Sequence, residues 1–132
     1  MTADELTLAR RAWESLYWTF LPGMLARNVG SDRALRLDDK TAADLNHCGS
    51  GWAPDLSDAV TALALAAVAR AAHPEWILWA VPADGGFDPE SVWWVHASSL
   101  DDGRCMAFTG PTEAGAWVEA LEWGPSCALG DT

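Results

Sequence analysis

The sequence predicts a single α+β domain over residues 1–132, with an antiparallel sheet packed against three main helices. Three observations carry this. A chain of 132 residues fills one domain and leaves no room for two comfortable ones. Half its residues are apolar and a fifth are charged, enough to build a core and too apolar for general disorder. The third is the order of periodicities along the chain: helix, short hairpin, helix, three-stranded meander, helix.

The elements follow in turn. Thr2 with Glu5 has the form of a capping box and opens a first helix. Leu6, Ala9, Trp13, Leu16, Tyr17 and Phe20 repeat at helical spacing, and Pro22-Gly23 closes the segment. Arg11, Glu14 and Trp18 then form a charged stripe containing one tryptophan, a residue type that anchors interfaces when exposed. Residues 24–37 read as a hairpin about Gly30-Ser31-Asp32, and 38–46 as one or two helical turns. His47 to Pro54 is rich in turn formers. A strong helix follows from about Leu56 to Ala72, capped by Asp55 or Ser57, with Val60, Leu63, Ala64 and Ala67 as its buried face. Because it is almost wholly Ala, Leu and Val, it is expected to be covered on most sides.

Trp76 to Val81 is apolar on both faces and reads as a buried strand. Ser91 to Ser98 is the next strand. Alternation places Val92, Trp94 and His96 on one face and Trp93, Val95 and Ala97 on the other. Asp102-Gly103 signals a hairpin leading into Arg104–Thr109. Pro111 opens a last helix whose buried stripe is Ala114, Trp117, Val118 and Leu121. Gly124-Pro125 is expected to end it and leave 124–132 as a loose tail.

Charge and aromatic content set the functional expectation. The net charge is −11, and residues 71–132 carry ten acids against the single base Arg104. Such a field repels nucleic-acid phosphates and acidic membranes and accelerates encounter with basic surfaces. The same charge would also serve solubility alone. Nine tryptophans stand against one tyrosine and three phenylalanines. Trp76, Trp79, Trp93 and Trp94 populate both faces of two neighbouring strands, and a domain this small covers one sheet face far more readily than two. One face is therefore expected to expose an aromatic patch, a usual mark of a binding or oligomer surface.

Enzymatic signals are weaker. His47 and Cys48 before a helix have the residue types of an activated thiolate, and His96 beside Trp94 has those of a base in an aromatic pocket. Neither stretch fits a nucleophile-elbow, phosphate-loop or dinucleotide pattern. The cysteines at 48, 105 and 127 lack paired metal-ligand spacing and read as free thiols. The acids of 84–90 lack the spacing of a calcium loop, and they lie at the opposite end of the middle strand from Asp101 and Asp102. His73 complements a helix C-terminus as an imidazolium.

The sequence thus points to a non-catalytic acidic protein that needs no cofactor or metal and docks on a basic protein partner. Inhibitor, immunity or anti-defence, and chaperone proteins share this profile by property, and carboxylates standing in for nucleic-acid phosphates are one version of it. Trp18, Trp79, Asp84, Asp88, Glu90, Trp93, Asp101 and Asp102 are the expected contacts. The alternative is a small enzyme or ligand-binding domain using His96 or the His47–Cys48 loop. Self-association into a homodimer would use the same apolar surface. No apolar run approaches the ~18 residues of a membrane span and no export signal opens the chain, so a cytoplasmic protein is expected. Frequent alanine, with arginine outnumbering lysine seven to one, suggests a bacterial or phage coding bias.

Overall fold

The computed structural model describes residues 2–31, 33–48, 51–82 and 93–130, with side chains described for all of these except 48 and 124–130. The described residues form an α+β fold of four helices and two antiparallel three-stranded sheets.

Helix α1, Ala3–Glu14, begins at the expected capping box. The Thr2 hydroxyl accepts from the Glu5 amide at 3.1 Å, and the Glu5 carboxylate accepts from the Thr2 amide at 2.9 Å. It stops well short of Phe20, correcting the longer helix predicted from the apolar repeat. Ser15 turns extended, and its side chain and carbonyl take the Tyr17 and Trp18 amides, a local alternative to helical bonding. Leu16 consequently points out, 94% exposed, and the Arg11–Glu14–Trp18 stripe never forms. Arg11 instead reaches Glu119 and Glu122 on the last helix.

The first sheet contains the predicted hairpin, β1 (Leu25–Asn28) and β2 (Ala34–Arg36), and a third strand the sequence reading missed, β3 (Trp52–Pro54), in the order β2-β1-β3. At three residues, β3 is too short for alternation to reveal it. Helix α2, Asp39–Cys48, runs through His47 and Cys48, which the sequence reading placed in an irregular loop. Asn46 clips it to the preceding segment through both the amide and the carbonyl of Phe20.

Helix α3, Ala59–Ala72, is capped by Asp58, not by Asp55 or Ser57. Asp55 turns inward to accept from Ser57 and Arg27. The buried face of α3 is Thr61, Leu65, Ala66, Val68 and Ala69. Val60 (51%) and Leu63 (70%) lie open, contrary to the expectation that this helix is covered on most sides. Thr61 explains the rotation. Its hydroxyl is needed inside, accepting the Leu25 amide at 2.7 Å while donating to Asp58 at 2.8 Å.

The second sheet is the predicted meander, β4 (Trp76–Pro82), β5 (Trp93–Ser99) and β6 (Cys105–Gly110), in that order. Gly103, at φ +71°, makes the β5–β6 turn. Helix α4, Glu113–Gly130, continues past Gly124-Pro125, where the sequence reading ended it. Helix α4 is the hub of the core, packing on α3, on α1 and on the inner face of the second sheet. Trp117, Val118 and Leu121 are buried as predicted, joined by Ala116 and Ala120. Trp123 packs edge-on against Trp76, with 4.8 Å between centroids. No helix among the described residues is long and apolar enough to cross a membrane.

Candidate functional site on the outer sheet face

Register and alternation fix the outer face of the second sheet as three cross-strand rows: Ile77–Ser98–Cys105, Trp79–His96–Ala107 and Val81–Trp94–Thr109. None of these nine positions carries an Asp, Glu, Lys or Arg, in a chain of net charge −11. The inner face, with Trp93, Val95, Ala97, Met106 and Phe108, turns toward α4 and the core. Among the described residues no helix packs over the outer face, so Ile77 is 53% and Trp79 41% exposed. The buried strand predicted from Trp76 to Val81 is thus buried on one side only.

At the centre of this face the His96 ring lies between two tryptophans. Trp79, its cross-strand partner, is 5.5 Å away between centroids and 19° from parallel. Trp94, two residues back on the same strand, is 6.1 Å away and 17° from parallel. The sheet supplies this order: cross-strand and i, i+2 neighbours on one face are the pairs close enough to touch. The result is an ordered, half-exposed aromatic row that loses little further side-chain freedom when a partner covers it.

The other predicted contacts are dispersed. Trp93 belongs to the inner face and packs on the core. Trp18 is half-buried on Phe20, ring edge to face at 5.3 Å, and its indole Nε1 is enclosed without an acceptor among the described residues. Asp101 and Asp102 are exposed in the β5–β6 turn. Asp102 accepts the Arg104 amide at 3.1 Å, which holds its carboxyl below the usual range, and it also pairs with the Arg104 guanidinium at 2.7 Å. Asp84, Asp88 and Glu90 lie outside the described residues. Trp94 was absent from the predicted contacts, although alternation along β5 already placed it beside His96. The β4–β5 register, which brings Trp79 to the same spot, was the missing link.

The two histidines of the enzymatic alternative lie on different elements. His47 is exposed on α2, while His96 lies on the open sheet face. Two clefts, of about 560 and 240 Å³, are lined by neither. His73, expected as a helix-end imidazolium, is instead buried (2% exposed), with Nε2 2.8 Å from the Ala120 carbonyl. Burial pushes its pKa down, favouring the neutral ring as donor to that carbonyl. Among the described residues no cluster of three His, Cys, Asp or Glu side chains offers a metal site. Comparisons with protein-family models, with curated proteins and with solved structures found no match to this chain.

Proposed function

We propose that this chain is a non-catalytic docking protein that binds a basic protein partner through the outer face of its second sheet. The observation that carries the reading is the Trp79–His96–Trp94 row, half-exposed at the centre of an uncharged face in a strongly acidic molecule. An acidic field speeds and orients the approach of a basic surface, and aromatic anchors inside an uncharged patch supply the affinity once water is excluded. The exposed tryptophan faces also suit arginine and lysine, whose cations are attracted to the ring quadrupole. An inhibitor, immunity-type or chaperone role, with carboxylates taking the place of nucleic-acid phosphates, fits this arrangement.

The test is capture of a partner from the native host across salt from about 50 to about 500 mM. A basic protein retained at low salt, released as salt rises and lost on Trp79→Ala and Trp94→Ala with unchanged circular dichroism supports the reading. Capture that is indifferent to both substitutions sinks it.

A further inference from the structure

We propose that the free edge of β6 pairs with β6 of a second copy, antiparallel and centred on Ala107, to form a two-fold dimer with one continuous six-stranded sheet. The two edges of the second sheet differ in a way that singles out β6. Ser99 donates its amide to the Arg104 carbonyl at 2.8 Å, and ladder alternation then turns the backbone groups of Met106 and Phe108 toward β5. Those of Cys105, Ala107 and Thr109 point outward. Among the described residues nothing meets them, and Cys105–Gly110 holds no charge and no proline, the usual guards of an open edge.

The β4 edge, by contrast, is partly guarded. Its outward groups belong to Trp76, Leu78, Ala80 and Pro82. The Trp76 amide donates to the His73 carbonyl at 3.1 Å, and the Leu78 carbonyl accepts from the Arg70 guanidinium at 3.2 Å. Pro82 has no amide to offer. Pairing through β6 alone therefore ends at two copies, because a two-fold β6–β6 contact uses up both β6 edges and the outer strands of the joined sheet are the guarded β4 edges.

The Ala107-centred register is self-complementary. Cys105 falls opposite Thr109 of the second copy and Ala107 opposite its own equivalent, so all the outward amides and carbonyls find partners. On the inner side Met106 meets Phe108, a favourable apolar cross-strand pair. The same register sets Arg104 opposite Gly110 of the second copy. Gly110 lines the cleft of about 560 Å³ that also holds Asp4, Glu5, Leu8, Leu56 and Glu119. Arg104, which pairs with the exposed Asp102 at 2.7 Å, is the only base of residues 71–132, and Arg11, the one cation among the described residues lining that cleft, is held by Glu119 and Glu122. Dimerisation thus brings the Arg104–Asp102 pair, which holds the only base of residues 71–132, beside the acidic cleft of the second copy.

Sedimentation equilibrium and disulfide trapping test this on the full chain. The wild type is expected at twice 14.2 kDa. Ala107→Pro removes only an outward amide and should return the chain to monomer with unchanged circular dichroism. In a Cys105→Ser background, Ala107→Cys puts two thiols about 5.5 Å apart between Cα atoms, within disulfide reach, and mild oxidation should link the copies. Ile77→Cys on the guarded edge should leave them unlinked. A wild type that remains monomeric up to about 0.5 mM overturns the proposal. So does a dimer that survives Ala107→Pro, or one that links through Ile77→Cys and not Ala107→Cys. Loss of the dimer with partner capture intact would leave the docking reading standing, and the converse result would leave the dimer standing.

Discussion

Trp79 and His96 face each other directly across the β4–β5 ladder, rings 19° from parallel, on the side of the sheet that no described helix covers. Among the described residues the one ring stacked on Trp79 is that of His96, and the tryptophan is 41% exposed. Trp79→Ala should therefore lower stability by only about 1 kcal/mol, within the range of a surface cross-strand pair. Trp117→Ala, in the core beneath Arg70, should lose about 3–5 kcal/mol. Urea unfolding of the two variants checks the contrast. Equal losses would mean that the Trp79 face is covered in solution.

His73 makes stability depend on pH in a defined window. Its ring is buried beside Trp123, at 4.7 Å between centroids, and burial holds its pKa below the ordinary 6.5. Well above pH 6.5 neither the folded nor the unfolded chain carries a proton there. As pH falls below 6.5 the unfolded chain takes up a proton first, so stability drops until the folded-state pKa is passed. The urea midpoint should thus decline between about pH 7.5 and about pH 5.5, and His73→Phe should flatten that decline. An unchanged slope in the variant would assign the effect elsewhere.

How much of this was legible in the sequence depends on what each signal resolves. The meander and the Asp102-Gly103 turn were readable because strand alternation and turn chemistry are local. The faces of β5 were readable for the same reason. Two things were not. The end of α1 and the rotation of α3 were set by polar groups making specific bonds, Ser15 to Tyr17 and Trp18, and Thr61 to Leu25 and Asp58. An apolar repeat cannot register such bonds, and it therefore put Leu16 and Leu63 inside. The site itself was half readable. Composition implied that one tryptophan face would be open, but choosing Trp94 over Trp93 requires knowing which side α4 takes, and that is a tertiary fact.

Asp58 joins two roles that one substitution would remove together. It caps α3 by accepting from the Thr61 amide at 3.0 Å, and it holds Arg36 through both terminal nitrogens at 2.7 and 3.0 Å. The Arg36 pairing, helped by Thr61, keeps its carboxyl well below the usual carboxylate range. Asp58→Ala should cost about 1–2 kcal/mol, the upper part of the range for a lost cap. Because a depressed carboxyl contributes its stability above its unfolded value, the deficit should stay constant from neutral pH to about 5 and shrink only as pH falls below 3.8. Thermal melts of both proteins across that range measure it, and a deficit that vanishes already at pH 5 would contradict the pairing.

Gly110 closes β6 where the chain must pass tightly into α4. A Cβ built there would lie 2.6 Å from the Ala116 amide nitrogen and 2.7 Å from the Gly115 carbonyl carbon, both backbone atoms that cannot swing aside. Gly110→Ala therefore forces the end of β6 away from the first turn of α4, a shift of the kind that costs about 1–3 kcal/mol in a packed interior. Gly103→Ala is the useful comparison. There a Cβ meets nothing within 4 Å, and the penalty comes from the backbone alone, at φ +71°. The two variants should separate by mechanism in hydrogen exchange. Gly110→Ala should speed exchange in α4 and β6 together, and Gly103→Ala only in the β5–β6 turn. Exchange confined to the turn in both would mean that the β6–α4 junction has room the close approach denies.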